Sequence, residues 1–79
     1  MKPLHIAECV RNDLQAYLRD LGHSEPSDLY DMLVTVVERP LLEVVMAHAE
    51  NNQSRAAQYL GLNRNTLRKK LIAHKLLNE

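Results

Sequence analysis

Apolar residues recur along this chain in two long rhythms and one short closing pattern. Between Pro3 and about Asp20 the first rhythm, which continues to Leu21, places Ile6, Val10, Leu14, Tyr17, Leu18 and Leu21 every three or four residues, the spacing of one stripe on an amphipathic helix. Pro3 suits the first turn of that helix, where no backbone N–H is needed. Gly22-His23-Ser24-Glu25-Pro26 breaks the rhythm. Ser27 is a natural N-cap for the next helix, with Asp28 and Asp31 placed in its first turn, where the macrodipole favours negative charge.

The second rhythm, from there to about Ala49, is not a stripe. Leu29, Tyr30, Met32, Leu33, Val34, Val36, Val37, Leu41, Leu42, Val44, Val45, Met46, Ala47 and Ala49 cover almost the whole circumference of a helix. A helix apolar all round must be buried all round. Some 22 residues of it form a rod of roughly 33 Å, more than the other helices of so short a chain can enclose. The economical solution is an intertwined homodimer in which two copies of the long helix bury one another, with two-fold symmetry setting the rest of the molecule. Pro40 lies within this segment, and the continuity of the pattern on both sides of it favours one kinked helix over a helix that ends at Arg39 and restarts.

The last third reads as a helix-turn-helix. A short amphipathic segment, Gln53 to Leu60, stops at Gly61, a residue able to take the left-handed conformation that ends a helix in a sharp turn. A second opens at Asn63, a favoured N-cap, and carries Leu67 and Leu71 on one face. Ala57 offers a small side chain where the two helices would cross. The face opposite the leucines presents Arg64, Asn65, Arg68 and Lys69, with Thr66 beside it, groups that bond base edges and phosphates. Charge changes the picture in the same direction. Ten Lys and Arg balance ten Asp and Glu, yet residues 1–49 hold four cations against eight acids, and residues 50–79 hold six against two. A neutral chain is thus an acidic body with a basic head, suited to an anionic partner bound at one end.

Composition adds mostly exclusions. Seventy-nine residues make one domain. The single cysteine, Cys9, cannot pair within the chain and reads as a reduced, helix-embedded thiol of a cytosolic protein. His5, His23, His48 and His74 have no second ligand at metal-binding spacing and read as surface or partly buried residues. No paired carboxylates, nucleophile with its base, phosphate-cradling glycine loop or metal set is present, so neither an enzyme nor a cofactor is expected. No leader or apolar run near 20 residues is seen, so neither secretion nor membrane insertion is expected.

Asp28-Leu29-Tyr30-Asp31, Glu38-Arg39-Pro40-Leu41-Leu42-Glu43, Asn52-Gln53-Ser54-Arg55-Ala56-Ala57 and the run from Leu62 to Leu71 resemble the bacterial Fis family, the factor for inversion stimulation. The resemblance extends from Lys2-Pro3-Leu4 to about His74. It implies an all-α protein with four helices per subunit, forming an intertwined homodimer with a helical-bundle core, a proline-kinked second helix and a helix-turn-helix at each end. In those terms residues 1–49 are the dimerisation core and residues 50–79 the DNA-binding region of one Fis-like domain. The family binds and bends double-stranded DNA, organises the nucleoid and regulates transcription, which implies a cytoplasmic, nucleoid-associated location. By position, Asn63, Arg64, Thr66, Arg68, Lys69 and Lys70 match the DNA-contacting second helix of the motif, and Asn52, Gln53 and Ser54 match the start of the first.

The chemistry of those residues agrees with the roles. Arg64 can donate two bonds to guanine, Asn63 can cap its helix and still lie near a base edge, and Ser54, Asn52 and Thr66 can bond phosphates. Arg68, Lys69 and Lys70 span almost a full turn, so not all three can point into the groove and at least one must reach sideways to phosphate. For Arg55 a structural contact and a DNA contact are equally open. This chain also departs from the family. It begins where the arm that contacts serine recombinases would already have ended, so no recombinase contact is expected. Glu50 stands where a basic residue is usual, and Ile72-Ala73 stand in place of a basic pair, which predicts weaker wrapping and a shallower salt dependence. Asn51 and Asn65 stand in place of glycines; Asn65 adds a side chain beside the groove and alters the preferred sequence.

The expected mechanism is insertion of two recognition helices into adjacent major grooves on one face of a duplex. In the family those helices lie closer than one turn of straight B-DNA, so the duplex bends and easily compressed centres are favoured. Two other readings compete. An operator-specific repressor would show a large ratio of specific to nonspecific affinity, and a helical protein-interaction adaptor would bind through the long helix and ignore DNA.

Overall fold

The computed structural model describes residues 5–78 and is all-helical among them: α1 (Ile6–Leu21), α2 (Leu29–His48), α3 (Gln53–Leu60) and α4 (Arg64–Ala73). Pro3, placed by the sequence in the first helical turn, lies outside the described residues. Gly22 ends α1 with φ 62° and ψ −117°, a combination closed to side chains with a Cβ. Ser27 does not cap α2. The N-cap is Asp28, held in the left-handed region at φ 54° without a side-chain capping bond, so only Asp31 remains as the acid of the first turn. The physical reason is local. An aspartate tolerates the left-handed conformation, and adopting it at Asp28 moves the helix start one residue beyond the serine.

Helix α2 runs through Pro40 without a break. Proline removes the bond that the Val36 carbonyl would accept, and both Val36 and Pro40 lie on an exposed side, where that loss costs least. Within the chain the apolar girdle is not enclosed. Only Leu42 of α2 is buried, whereas Tyr30 is 80% exposed, Val36 63% and Val44 68%. Helix α1 buries no residue at all.

The core gathers at the other end of the chain. Leu42 and Ala49 from the second half of α2 meet Ala56 and Ala57 of α3 and Leu67 and Leu71 of α4, with Val45, Met46, Leu60, Leu76 and Leu77 packed around them. Leu67 and Leu71 are the two apolar positions foreseen for α4; Ala56 joins Ala57 at the crossing of the short helices. The end of α2 is therefore a wall of the helix-turn-helix core. His48 and Tyr59 add a tilted ring contact between α2 and α3, with centroids 5.7 Å apart.

Three helices end in the same way. The N–H of Leu62 donates to the Ala57 carbonyl while that of Gly61 donates to Gln58, the two-bond Schellman closure, with Gly61 at φ 72°. The same pair of bonds closes α2 around Glu50 (φ 55°) and α4 around Lys75 (φ 59°), two residues that take the left-handed conformation without being glycine. Asn51 follows at φ 62°, in the left-handed turn its residue type tolerates.

Candidate nucleic-acid interface

Two asparagines build the interface from below. The Asn52 Oδ1 accepts the Arg55 backbone N–H at 3.0 Å and so opens α3; the Asn63 Oδ1 accepts the Asn65 N–H at 2.8 Å and opens α4. Both caps use the carbonyl oxygen and leave the amide NH2 free to donate outward. The first turn of a helix leaves further N–H groups without intrahelical partners at the positive end of the helix dipole, an arrangement that attracts phosphate oxygens.

With Leu67 and Leu71 anchored in the core, helical spacing turns Asn65, Thr66, Arg68 and Lys69 away from it, while Arg64, on the leucine side by spacing, is exposed as the first residue of α4; all five are exposed. Asn52, Ser54 and Asn63 are exposed as well, and Gln53 is half-buried at the α3 start. Arg55 contributes its backbone N–H to the Asn52 cap, and its side chain is exposed with no ion pair among the described residues. Lys70 is not brought together with the others. It is half-buried, with its Nζ 2.9 Å from the Glu38 Oε2 of α2, so it reaches back to a carboxylate of the chain itself instead of standing free for phosphate.

His74, expected at the surface or partly buried, is buried at 9% exposure. Its Nε2 lies 2.8 Å from the Glu38 Oε1. A carboxylate can only accept, so the proton sits on Nε2 and donates to Glu38. Arg39 Nη1 donates to the His74 backbone carbonyl and its Nε lies 3.8 Å from Glu43. The Lys70 bond first, then the His74 bond, hold the Glu38 carboxyl below the usual carboxylate range, outweighing the opposing effect of burial. Sequence reasoning missed this brace. Its visible trace is Lys70 and His74 one helical turn apart, and the charged pair Glu38-Arg39 just before Pro40 in an apolar stretch; the long-range pairing itself has no local signal.

Nothing else among the described residues competes for the role of a site. No group of three His, Cys, Asp or Glu side chains stands together, and no helix is long and apolar enough to cross a membrane. Cys9 is a free, exposed thiol on α1.

A helix-turn-helix with a cationic outer helix, carried on the end of a long apolar helix, defines a class of regulatory fold. The family described as bacterial regulatory protein, Fis family, matches residues 34–74, which runs from the middle of α2 to the end of α4. The chain is 60% identical over 72 residues to a protein designated Fis-like DNA-binding protein in Ralstonia nicotianae, covering 91% of this chain and 94% of that one. It is 54% identical to a protein of the same designation in Neisseria meningitidis, covering 91% of each. To the DNA-binding protein Fis of Glaesserella parasuis it is 46% identical over 66 residues, 84% of this chain and 67% of the relative. The chain belongs to the Fis family.

Proposed function

We propose that this chain is a Fis-like protein that binds double-stranded DNA as a homodimer, bends it with modest sequence preference, and regulates transcription as a cytoplasmic, nucleoid-associated factor. The observation that carries the reading is the outward face of α4. Arg64, Asn65, Thr66, Arg68 and Lys69 are all exposed on a helix whose start is capped by Asn63 and whose other face is locked by Leu67 and Leu71. The designations of the relatives support the same partner.

In this reading Arg64 stands at the helix entrance to contact guanine O6 and N7. Asn65 reaches a neighbouring base edge, and Arg68, Lys69, Thr66 and the α3 start (Asn52, Gln53, Ser54) hold phosphates. Lys70 contributes charge at the margin from its place beside Glu38. The exposed apolar girdle of α2 supplies the dimer contact, so residues 1–49 form the dimerisation region and residues 50–79 the DNA-binding region, sharing the end of α2 as a common wall. Two-fold symmetry then presents two α4 helices to one face of the duplex, and bending brings adjacent major grooves onto both.

A gel-shift titration of wild type and Arg64→Ala tests this, on an AT-centred duplex and an unrelated duplex at two salt concentrations. Salt-sensitive wild-type binding with a modest preference is expected, weakened by the substitution by about 1–3 kcal/mol, or roughly 5- to 150-fold. Failure to bind either duplex would refute the DNA reading and favour an adaptor acting through α2.

A further inference from the structure

The two residues before Pro40 reach across to the far end of α4. Glu38 holds Lys70 Nζ on one carboxylate oxygen at 2.9 Å and His74 Nε2 on the other at 2.8 Å, while Arg39 donates to the His74 carbonyl. Lys70 and His74 are one helical turn apart, so the grip is at two levels along α4. Both lie on one face of the helix, so rolling α4 about its own axis would carry both partners away from Glu38. The backbone of α3 lies close to both α2 and α4, whereas α2 meets α4 through these polar side chains and through Leu42 in the shared core. Leu67 and Leu71 decide which face of α4 turns inward, and the directional bonds of the brace narrow the roll that this packing still allows. The charged and titratable groups at this brace are Glu38, Arg39 and Glu43 from α2 and Lys70, His74 and Lys75 at the α4 end.

We propose that Glu38 and Arg39 are positioning residues of the DNA-binding surface: they fix the roll of α4 against α2, and through α2 the separation and tilt of the two recognition helices of the dimer. The inference rests on the DNA-bending reading above. Neither residue is placed on DNA. Their effect is on the shape of duplex the dimer accepts, which a contact residue such as Arg64 does not govern. Releasing Lys70 from Glu38 also returns a cation to the surface, so loss of the brace steepens the salt dependence rather than flattening it.

The test compares wild type, Glu38→Gln, Arg39→Met and Arg39→Lys on end-labelled duplexes that share flanks and differ only in a stiff or an easily compressed centre. Energy transfer between the duplex ends reports the bend, and titration reports affinity. Glu38→Gln and Arg39→Met are expected to retain binding to the compressible duplex while transfer falls toward that of free DNA, and to lose at least about threefold of the preference between centres. Arg39→Lys, which keeps a donor for the His74 carbonyl, is expected to recover the bend. Equal weakening on every duplex with unchanged transfer would overturn the proposal and reduce the brace to fold stability. Arg39 is exposed, so its variants decide the matter even where Glu38→Gln folds poorly. If wild type binds no duplex, the DNA reading itself fails; if wild type binds and bends but the variants match it, only the positioning role fails.

Discussion

Val44 offers a direct measure of what covers the apolar girdle of α2. It is 68% exposed in the protomer, in the same half of the helix as buried Leu42. Val44→Ala deletes two methyl groups, worth about 1.6 kcal/mol if fully buried at ~0.8 kcal/mol per carbon. Since 68% of the residue is open in the protomer, about 1.1 kcal/mol per copy is lost only when a partner covers it. Two-fold symmetry counts the change twice, giving about 2 kcal/mol and roughly a 30-fold weaker dimer. Alanine is the better helix former, so weakening cannot come from unwinding of α2. Sedimentation equilibrium over a range of concentrations reads the dissociation constant. Leu42→Ala provides the contrast. That side chain is 1% exposed within the protomer, and its truncation is expected to cost about 2–5 kcal/mol of the helix-turn-helix core itself. A dissociation constant for Val44→Ala within twofold of wild type, or a wild type that remains monomeric at high concentration, would refute the reasoning.

Other expectations concern pH and helix ends. The Glu38 carboxyl is held below its ordinary value of 4.5, so its bonds contribute fully above that pH and fade as pH falls through the lower folded value. Melting curves of wild type and Glu38→Gln are expected to differ near neutrality and converge in acid; a gap independent of pH would contradict the assignment. Gly61→Ala meets no atom within 4 Å, so its cost is purely that of the left-handed backbone, about 1 kcal/mol, read as a lower melting temperature. Glu50→Gly acts oppositely. It removes a similar strain at φ 55° and gives back part of the gain as unfolded-chain entropy, for a net rise of about 0.5 kcal/mol; a fall in melting temperature would show that Glu50 is held there by contacts of its own.

The local chemistry of the helix-turn-helix was legible because each signal acts within a few residues. Asn63, Gly61, Leu67 and Leu71 cap, turn and anchor by their own conformational and apolar preferences, and the structure uses them so. The long helix was equally legible in extent, since its apolar pattern continues through Pro40 and the chain finds no reason to stop there. Ser27 misled because a second capping residue type follows it directly, and backbone conformation at Asp28 decided between them. Lys70 looked like one more cation on a basic helix, and His74 like one of four scattered surface or partly buried histidines. What distinguishes them is Glu38, more than thirty residues earlier, and no periodicity or propensity joins positions so far apart. The exposed set on α4 was read from spacing alone, whereas its orientation against the rest of the molecule belongs to tertiary structure.

Helix α1 hides nothing inside its own protomer. A helix of its length has little stability alone in water, so in the proposed dimer its order is supplied largely by the second copy. With a second copy as the supplier, the ordered population depends on the square of the free protomer concentration. A freshly made chain at low abundance would then offer α1 to proteases, and clearance would slow as copies accumulate. Supply of active protein would respond to synthesis more steeply than in proportion, which gives a small chain a threshold without any ligand or modification.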